Sequence, residues 1–316
     1  MAQGSRTVVV ALGGNALARP GEPATITNQF RHTRESLEPI VAFAKAGWNV
    51  ALVHGNGPQV GDELVRNELA ADLVEPLPLG VLVAGTAGWI GYMIQQSLEN
   101  ALRRAGVDRP VGTVVTQTLV DADDPALAQP SKKIGSPITA EQAARLKGRG
   151  TAVVEEKPGV WRRLTASPRP RGIVEGKLVR RLVESEVIVV AAGGGGAPVY
   201  REPGGALEGV DAVVDKDRVA ALLAHDLGAE VLLILTEVDA VYRDWGKPTQ
   251  QKLSKLTLAE AESMLAGGAL EKGSIAPKVE AAAQFVREGG GRSVIATLSE
   301  GPAALEGRAG TTITRD

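Results

Sequence analysis

Three apolar runs of this chain each stop at glycine: Thr7–Leu12 before Gly13-Gly14, Asn49–His54 before Gly55-Asn56-Gly57, and Val187–Ala192 before Gly193 to Gly196. None shows the polar alternation of a half-exposed strand. Such runs are buried on both faces, as in a parallel sheet with helices above and below. Helical stretches separate them: 29–46, interrupted at Pro39 and ended by Gly47, then 60–71, 81–105, 216–227, 258–265 and 275–288. Further strands are expected at 111–117, 211–214, 230–236, 293–297 and 311–314. The alternation reads as an α/β fold with a mainly parallel sheet covered on both faces.

Residues 118–170 break this rhythm. They are richer in Pro, Asp, Lys and Arg, and only Thr151 to Glu155 resembles a strand. An unstructured insertion of that length is unusual inside a compact domain, so it reads as a small projecting subdomain or lid. At 316 residues the chain suits a large single domain or two lobes. Its 38 glycines are clustered and not periodic, which excludes a collagen-like or linker-like chain. A net charge of −2 offers no electrostatic argument for nucleic acid or an anionic membrane. With no cysteine there is no disulfide framework, thiolate nucleophile or Cys-based zinc site. The apolar segment Val8–Leu12 is too short for a signal peptide or a spanning helix, which favours a cytoplasmic protein.

In an open parallel sheet, ligands bind at the carboxyl ends of the strands. Glycine there lets main-chain N–H groups approach anionic oxygens without a Cβ between them, and a following helix N-terminus adds a favourable dipole. One such cluster could be only a tight turn; three at equivalent strand ends favour a phosphate or carboxylate cleft. No G-x-x-x-x-G-K-[ST] loop is present, and Pro198 after Gly193–Gly196 argues against a dinucleotide fingerprint. Lysine suits phosphoryl transfer as a compact mobile cation. Lys216 sits between Asp215 and Asp217 at a strand-to-helix junction, and Lys278 opens another helix. Either alone could be an ordinary solvated lysine, as could the pair Lys132-Lys133 in the insertion. His54, closing a buried strand, suits a packing role at least as well as a catalytic one. Three dispersed histidines and no cysteine make a transition-metal site implausible. The segment Leu235 to Tyr242 could hold a nucleoside or form a plain strand-end loop.

In joint order these segments resemble the carbamate kinases, a branch of the amino-acid kinase family, almost end to end. The resemblance rests on residues 11–17, 54–61, 161–163, 193–199, 214–217, 235–239 and 273–279. It implies a three-layer αβα sandwich with a mainly parallel central sheet, two lobes and a protruding subdomain. Residues 1–205 would bind the acceptor, with 118–170 as the lid, and 206–316 would bind ATP. Most amino-acid kinases carry a lysine just before the first glycine pair. Here Ala11-Leu12 stands there, as in carbamate kinases, where a lysine of the protruding subdomain takes over; Lys132 matches it, and Lys133 departs from the usual proline.

The resemblance further implies ATP/ADP, with Mg2+ carried on the nucleotide phosphates, and no protein metal site. Thr236, Glu237, Asp239 and Tyr242 would shape the nucleoside end, with Gly193, Gly194, Gly273 and Ser274 also on the nucleotide. Lys216 and Lys278 would neutralise the migrating phosphoryl group, Asp215 would hold the lysines in register, and Lys132 would close from the lid. Gly13, Gly14, Gly55 and Gly57, with Asn15 and Asn56, would grip carbamate. A homodimer, no membrane or nucleic-acid partner, and a role in arginine or related nitrogen catabolism complete the expectation. Rival readings are another small-carboxylate kinase of the same family and a non-catalytic nucleotide sensor on the same scaffold.

Overall fold

A computed structural model describes residues 6–19, 21–270 and 275–316, without the Asn15 side chain. Its main sheet has eight strands, in the spatial order Lys255–Thr257, Thr311–Thr314, Arg292–Thr297, Val231–Thr236, Thr7–Leu12, Asn49–His54, Ile188–Val190 and Val111–Thr113. The six from Arg292–Thr297 onward run parallel. Thr311–Thr314 turns back antiparallel against Arg292–Thr297, and Lys255–Thr257 follows its direction.

The two-sided burial expected of these strands has a direct cause. Successive side chains point to opposite faces. Val9, Ala11, Ala51, Val53, Leu232 and Ile234 pack with the helices Lys216–Asp226 and Ala276–Arg287 on one face. Val8, Val10, Leu12, Val50 and Leu52 pack with Glu38–Lys45 and Leu79–Arg104 on the other. Each odd or even position therefore meets a core of its own, and this is the αβα sandwich.

Pro39 does break the first helical stretch. Ile26–Ser36 ends at Leu37, and Pro39 occupies the first turn of Glu38–Lys45, where its missing N–H is harmless. The chain expected as one strand at 111–117 leaves the main sheet after Thr113, and Gln117–Leu119 pairs instead with Ala197–Arg201 and Gly172–Ile173. Residues 211–214 carry no strand.

The inserted region is more ordered than its composition implied. Lys132–Ile138, Val153–Lys157 and Val160–Thr165 form a separate three-stranded sheet, joined by the helix Ala140–Gly148. Its strands are largely solvated, which explains their polar sequence. Ile134, Arg163 and Thr165 are buried, and Ile134 packs with Val60, Leu82, Val83 and Val213, so plugging the subdomain into the body.

Candidate active site

Register assembles the site. Leu12 lies opposite both His54 and Leu235 in the parallel ladders, so Gly13, Gly55 and Thr236 emerge side by side at the carboxyl edge. The crowding there favours glycine. A Cβ on Gly55 would lie 3.2 Å from the Gly14 nitrogen and 3.3 Å from Lys216 Cδ, so the first two glycine turns and the lysine converge.

The ladder also sorts the glycine amides. It runs one residue past each strand, so Gly13 N–H donates to the Leu235 carbonyl and Gly55 N–H to the Leu12 carbonyl, both at 3.1 Å. These two amides are engaged within the protein and are not free for a ligand. The Gly14, Asn56 and Gly57 amides have no protein acceptor among the described residues. Asn56 stands at the N-cap of the helix Gly57–Ala70 without capping it, because its Nδ2 donates to Thr86 Oγ1 at 2.9 Å. The helix therefore keeps its first amides and its positive dipole end uncovered. The Asn56 side chain is committed to Thr86, leaving its main chain for the ligand edge.

The third glycine cluster lies behind this edge. Gly194, Gly195 and Gly196 take positive φ of 67°, 93° and 76°, a region that L side chains rarely adopt. A side chain on Gly193 would strike the His54 ring, and one on Gly194 the Asn56 amide. Gly193 and Gly194 are buried against His54 and Asn56, and neither lines the large cavity described below.

The charged groups meet as two linked ion pairs. Asp215 caps the helix Lys216–Asp226: its Oδ1 accepts from the Asp217 amide at 3.0 Å, and its Oδ2 takes Lys132 Nζ at 2.8 Å. Burial alone would raise the Asp215 pKa. The charge and hydrogen bond of Lys132, the field of Lys216 and the Asp217 amide outweigh it and hold the carboxyl well below the usual range. Lys216 Nζ sits 2.5 Å from Asp217 Oδ1, and Lys278 Nζ sits 3.4 Å from Asp217 Oδ2. The residue that holds Lys216 and Lys278 together is thus Asp217, while Asp215 serves the lid lysine. Asp217 was visible in sequence as a neighbour of Lys216, but only the helix turn shows which aspartate reaches Lys278. Lys133 points elsewhere, to Glu156 at 2.6 Å within the lid.

The inserted subdomain is packed against the body. Gly135 crosses Gly61 so closely that a Cβ on Gly61 would overlap its main chain, and Arg162 Nη2 donates to the Gly135 carbonyl at 2.8 Å. Arg163 grips Glu68 with a two-pronged ion pair.

A cavity of about 860 Å³ opens at the edge. Gly13, Gly14, Lys216, Lys278, Thr236 and Glu237 line it, and it reaches Thr297 and Ser299 at the next strand end. Asp239 and Tyr242 stand outside it: the Tyr242 hydroxyl donates to Asp239 Oδ1 at 2.9 Å, and Lys252 Nζ lies 2.7 Å from Asp239 Oδ2. Tyr242 instead lines a small apolar pocket of about 50 Å³ with Val238, Trp245, Leu270 and Ile275. Gly273 and Ser274, next to that pocket in sequence, lie outside the described residues, as does the Asn15 side chain. Among the described residues no group of three His, Asp or Glu could hold a metal ion. The two carboxylates at the edge already face lysines.

The sequence matches the model of the amino acid kinase family over residues 6–297. It is 41% identical to the carbamate kinase of Pyrococcus horikoshii over 310 residues, covering 97% of this chain and 98% of that one. It is 42% identical to the carbamate kinase-like protein YqeA of Escherichia coli, covering 98% and 99%. The structure of carbamate kinase from Giardia lamblia bound to AMP-PNP superposes with a TM-score of 0.91 at 37% identity, covering 99% of each chain. With the fold, the glycine edge and these full-length matches in agreement, the chain belongs to the amino acid kinase family, on its carbamate kinase branch.

Proposed function

We propose that this chain is a carbamate kinase, which transfers a phosphoryl group reversibly between ATP and carbamate to give ADP and carbamoyl phosphate. The observation that carries the reading is the reach of Lys132 out of the inserted subdomain to Asp215, beside Lys216 and Lys278. Lys216 and Lys278, from two separate helices, line the cavity with the first glycine turn, and Lys132, from a third element, reaches Asp215, the residue before Lys216. Phosphoryl transfer needs that: positive charge held in place around a group that carries its own negative charge through the transition state.

In this reading carbamate lies against the free amides of Gly14, Asn56 and Gly57, at the open end of the helix Gly57–Ala70. Lys216 and Lys278 face the migrating phosphoryl group, Asp217 holds them together and in register, and Lys132 closes the acceptor side. The base and ribose lie toward Thr236, Glu237 and the Tyr242 pocket. Mg2+ held by the nucleotide phosphates, with no ligand set from the described residues, would supply further neutralisation of their charge. Residues 1–205 thus supply the acceptor side and 206–316 the nucleotide side. Formation of ATP is the favoured direction, in a cytoplasmic homodimer serving arginine or related nitrogen catabolism. No helix among the described residues is long and apolar enough to cross a membrane.

The test is ATP formation from carbamoyl phosphate and ADP, run beside acetyl phosphate and a panel of amino-acid acyl phosphates. Preference for carbamoyl phosphate supports the proposal. Preference for another acyl phosphate would reassign the acceptor within the family, and nucleotide binding without any turnover would make the chain a sensor.

A further inference from the structure

Among the described residues, His54 is the fully buried ionisable group at the edge to which the mechanism above gives no part. It closes the Asn49–His54 strand and is completely shielded from solvent. Its Nδ1 lies 3.0 Å from the carbonyl oxygen of Gly55, the next residue in the chain. A carbonyl can only accept, so Nδ1 carries the proton and Nε2 presents a lone pair. That Nε2 is buried with no hydrogen-bond partner, against Gly193, where an added Cβ would come within 2.5 Å of it. Burial holds the imidazole at a pKa of about 4, Lys216 adding to the effect; the bonded Gly55 carbonyl opposes it, as does the Ala87 carbonyl, which lies near the ring without reaching hydrogen-bond geometry, so the ring is neutral at ordinary pH.

An imidazole with one orphaned nitrogen is a poor packing residue. An apolar side chain of similar size would fill the same space without burying an unsatisfied acceptor. What an apolar residue could not do is hold the Gly55 carbonyl. The peptide linking Gly55 to Asn56 is planar and trans, so its C=O and N–H point in opposite directions. Fixing the carbonyl toward the ring therefore aims the Asn56 N–H away from the buried face, and that N–H has no protein acceptor among the described residues. Glycine at position 55 widens the backbone conformations open to this peptide, and the ring narrows them.

We infer that His54 is a positioning residue for the acceptor: its Nδ1–H locks the Gly55–Asn56 peptide so that the Asn56 N–H faces the carbamate or carbamoyl oxygen. The inference rests on the proposed function, since it needs an anionic acceptor at that edge. It assigns no proton transfer to His54.

The experiment compares the unmodified chain with His54→Asn, His54→Gln and His54→Leu, by KM for carbamoyl phosphate, KM for ADP, kcat and thermal melting. Asn places its Nδ2 donor where the imidazole Nδ1 was; Gln carries its donor out to the Nε2 position; Leu has none. Loss of one such hydrogen bond is expected to raise the carbamoyl phosphate KM about tenfold in the Gln and Leu variants, with the ADP KM nearly unchanged and Asn close to the parent. Because the Gln variant remains polar and close in volume, the contrast with Asn stands even if Leu does not fold. Equal effects of Asn and Gln, or a parallel rise of both KM values, would overturn the inference and leave the function intact. An unmodified chain that does not turn over carbamoyl phosphate would overturn both.

Discussion

Replacing Asp217 by Asn removes one charge and almost no volume, and it separates the roles of the two aspartates. The Asp217 side chain is 4% exposed, and the two lysines it holds are 13% and 16% exposed, so little water screens the trio. Bound to one carboxylate, the two ammonium groups lie within roughly 8 Å, where like unit charges repel by about 2 kcal/mol at an effective dielectric near 20. Breaking a buried pair from one side costs about 3–5 kcal/mol, because the remaining charge is left without compensation. In a chain of this size that corresponds to a melting temperature lower by roughly 5–10 °C. The lysines should drift apart and lose alignment, for a fall in kcat of two to three powers of ten, or about 3–4 kcal/mol. Nucleotide phosphates supply the missing negative charge. Saturating ADP should therefore narrow the melting gap, and the KM for ADP should not rise. The assay is steady-state ATP formation with melting curves with and without ADP. An unchanged kcat with a raised ADP KM, or a melting gap indifferent to ADP, would refute the assignment of Asp217 as the holder of both lysines.

Lys132→Ala should lower turnover on the order of 10³-fold, as loss of a cation facing the transferred group does in other phosphoryl transferases. Lys133→Ala, which breaks only a half-exposed pair with Glu156, should stay near the parent rate, and the reverse ranking would contradict the geometry. Gly61→Val forces a side chain into the Gly135 main chain; overpacking of this kind costs about 1–3 kcal/mol and should undock the lid, seen as faster proteolysis within residues 132–165 together with lost turnover. The His54 pKa is about 4 in the folded protein against 6.5 when free, so the unfolded chain takes up the proton first. Its contribution to stability is complete above about pH 6.5 and declines as pH falls toward 4, by up to about 3 kcal/mol. Melting temperatures of His54→Asn should accordingly fall less steeply over that window; parallel profiles would show that His54 is not buried as described.

Much of this protein follows from local pattern. The apolar runs predicted the buried strands because each residue has a core to enter on its own face, as Val8 and Val9 show. Pro39 and Gly47 marked helix boundaries through backbone geometry that holds in any context, with Gly47 at φ 77°. The lid strands were hidden for the converse reason: a sheet docked mainly through Ile134 leaves no apolar alternation to read. Gly193 and Gly194 looked like ligand-facing glycines, yet their smallness admits His54 and Asn56. A sequence cannot distinguish room for a ligand from room for a neighbouring side chain.

The sequence by itself determined the buried central strands and most helices, and it singled out Lys216 and Lys278 as candidates, since periodicity, chain-breaking residues and local charge all act over a few positions. Only the tertiary structure decided the pairing: Asp217 with Lys216 and Lys278, Asp215 with Lys132 some 83 residues away, and Gly14 and Gly57 left with no acceptor for their amides among the described residues where Gly13 and Gly55 have one. The reason is physical. A parallel ladder fixes which strand ends are neighbours and how far its hydrogen bonds extend, and a helix turn fixes which of two adjacent carboxylates faces the cleft.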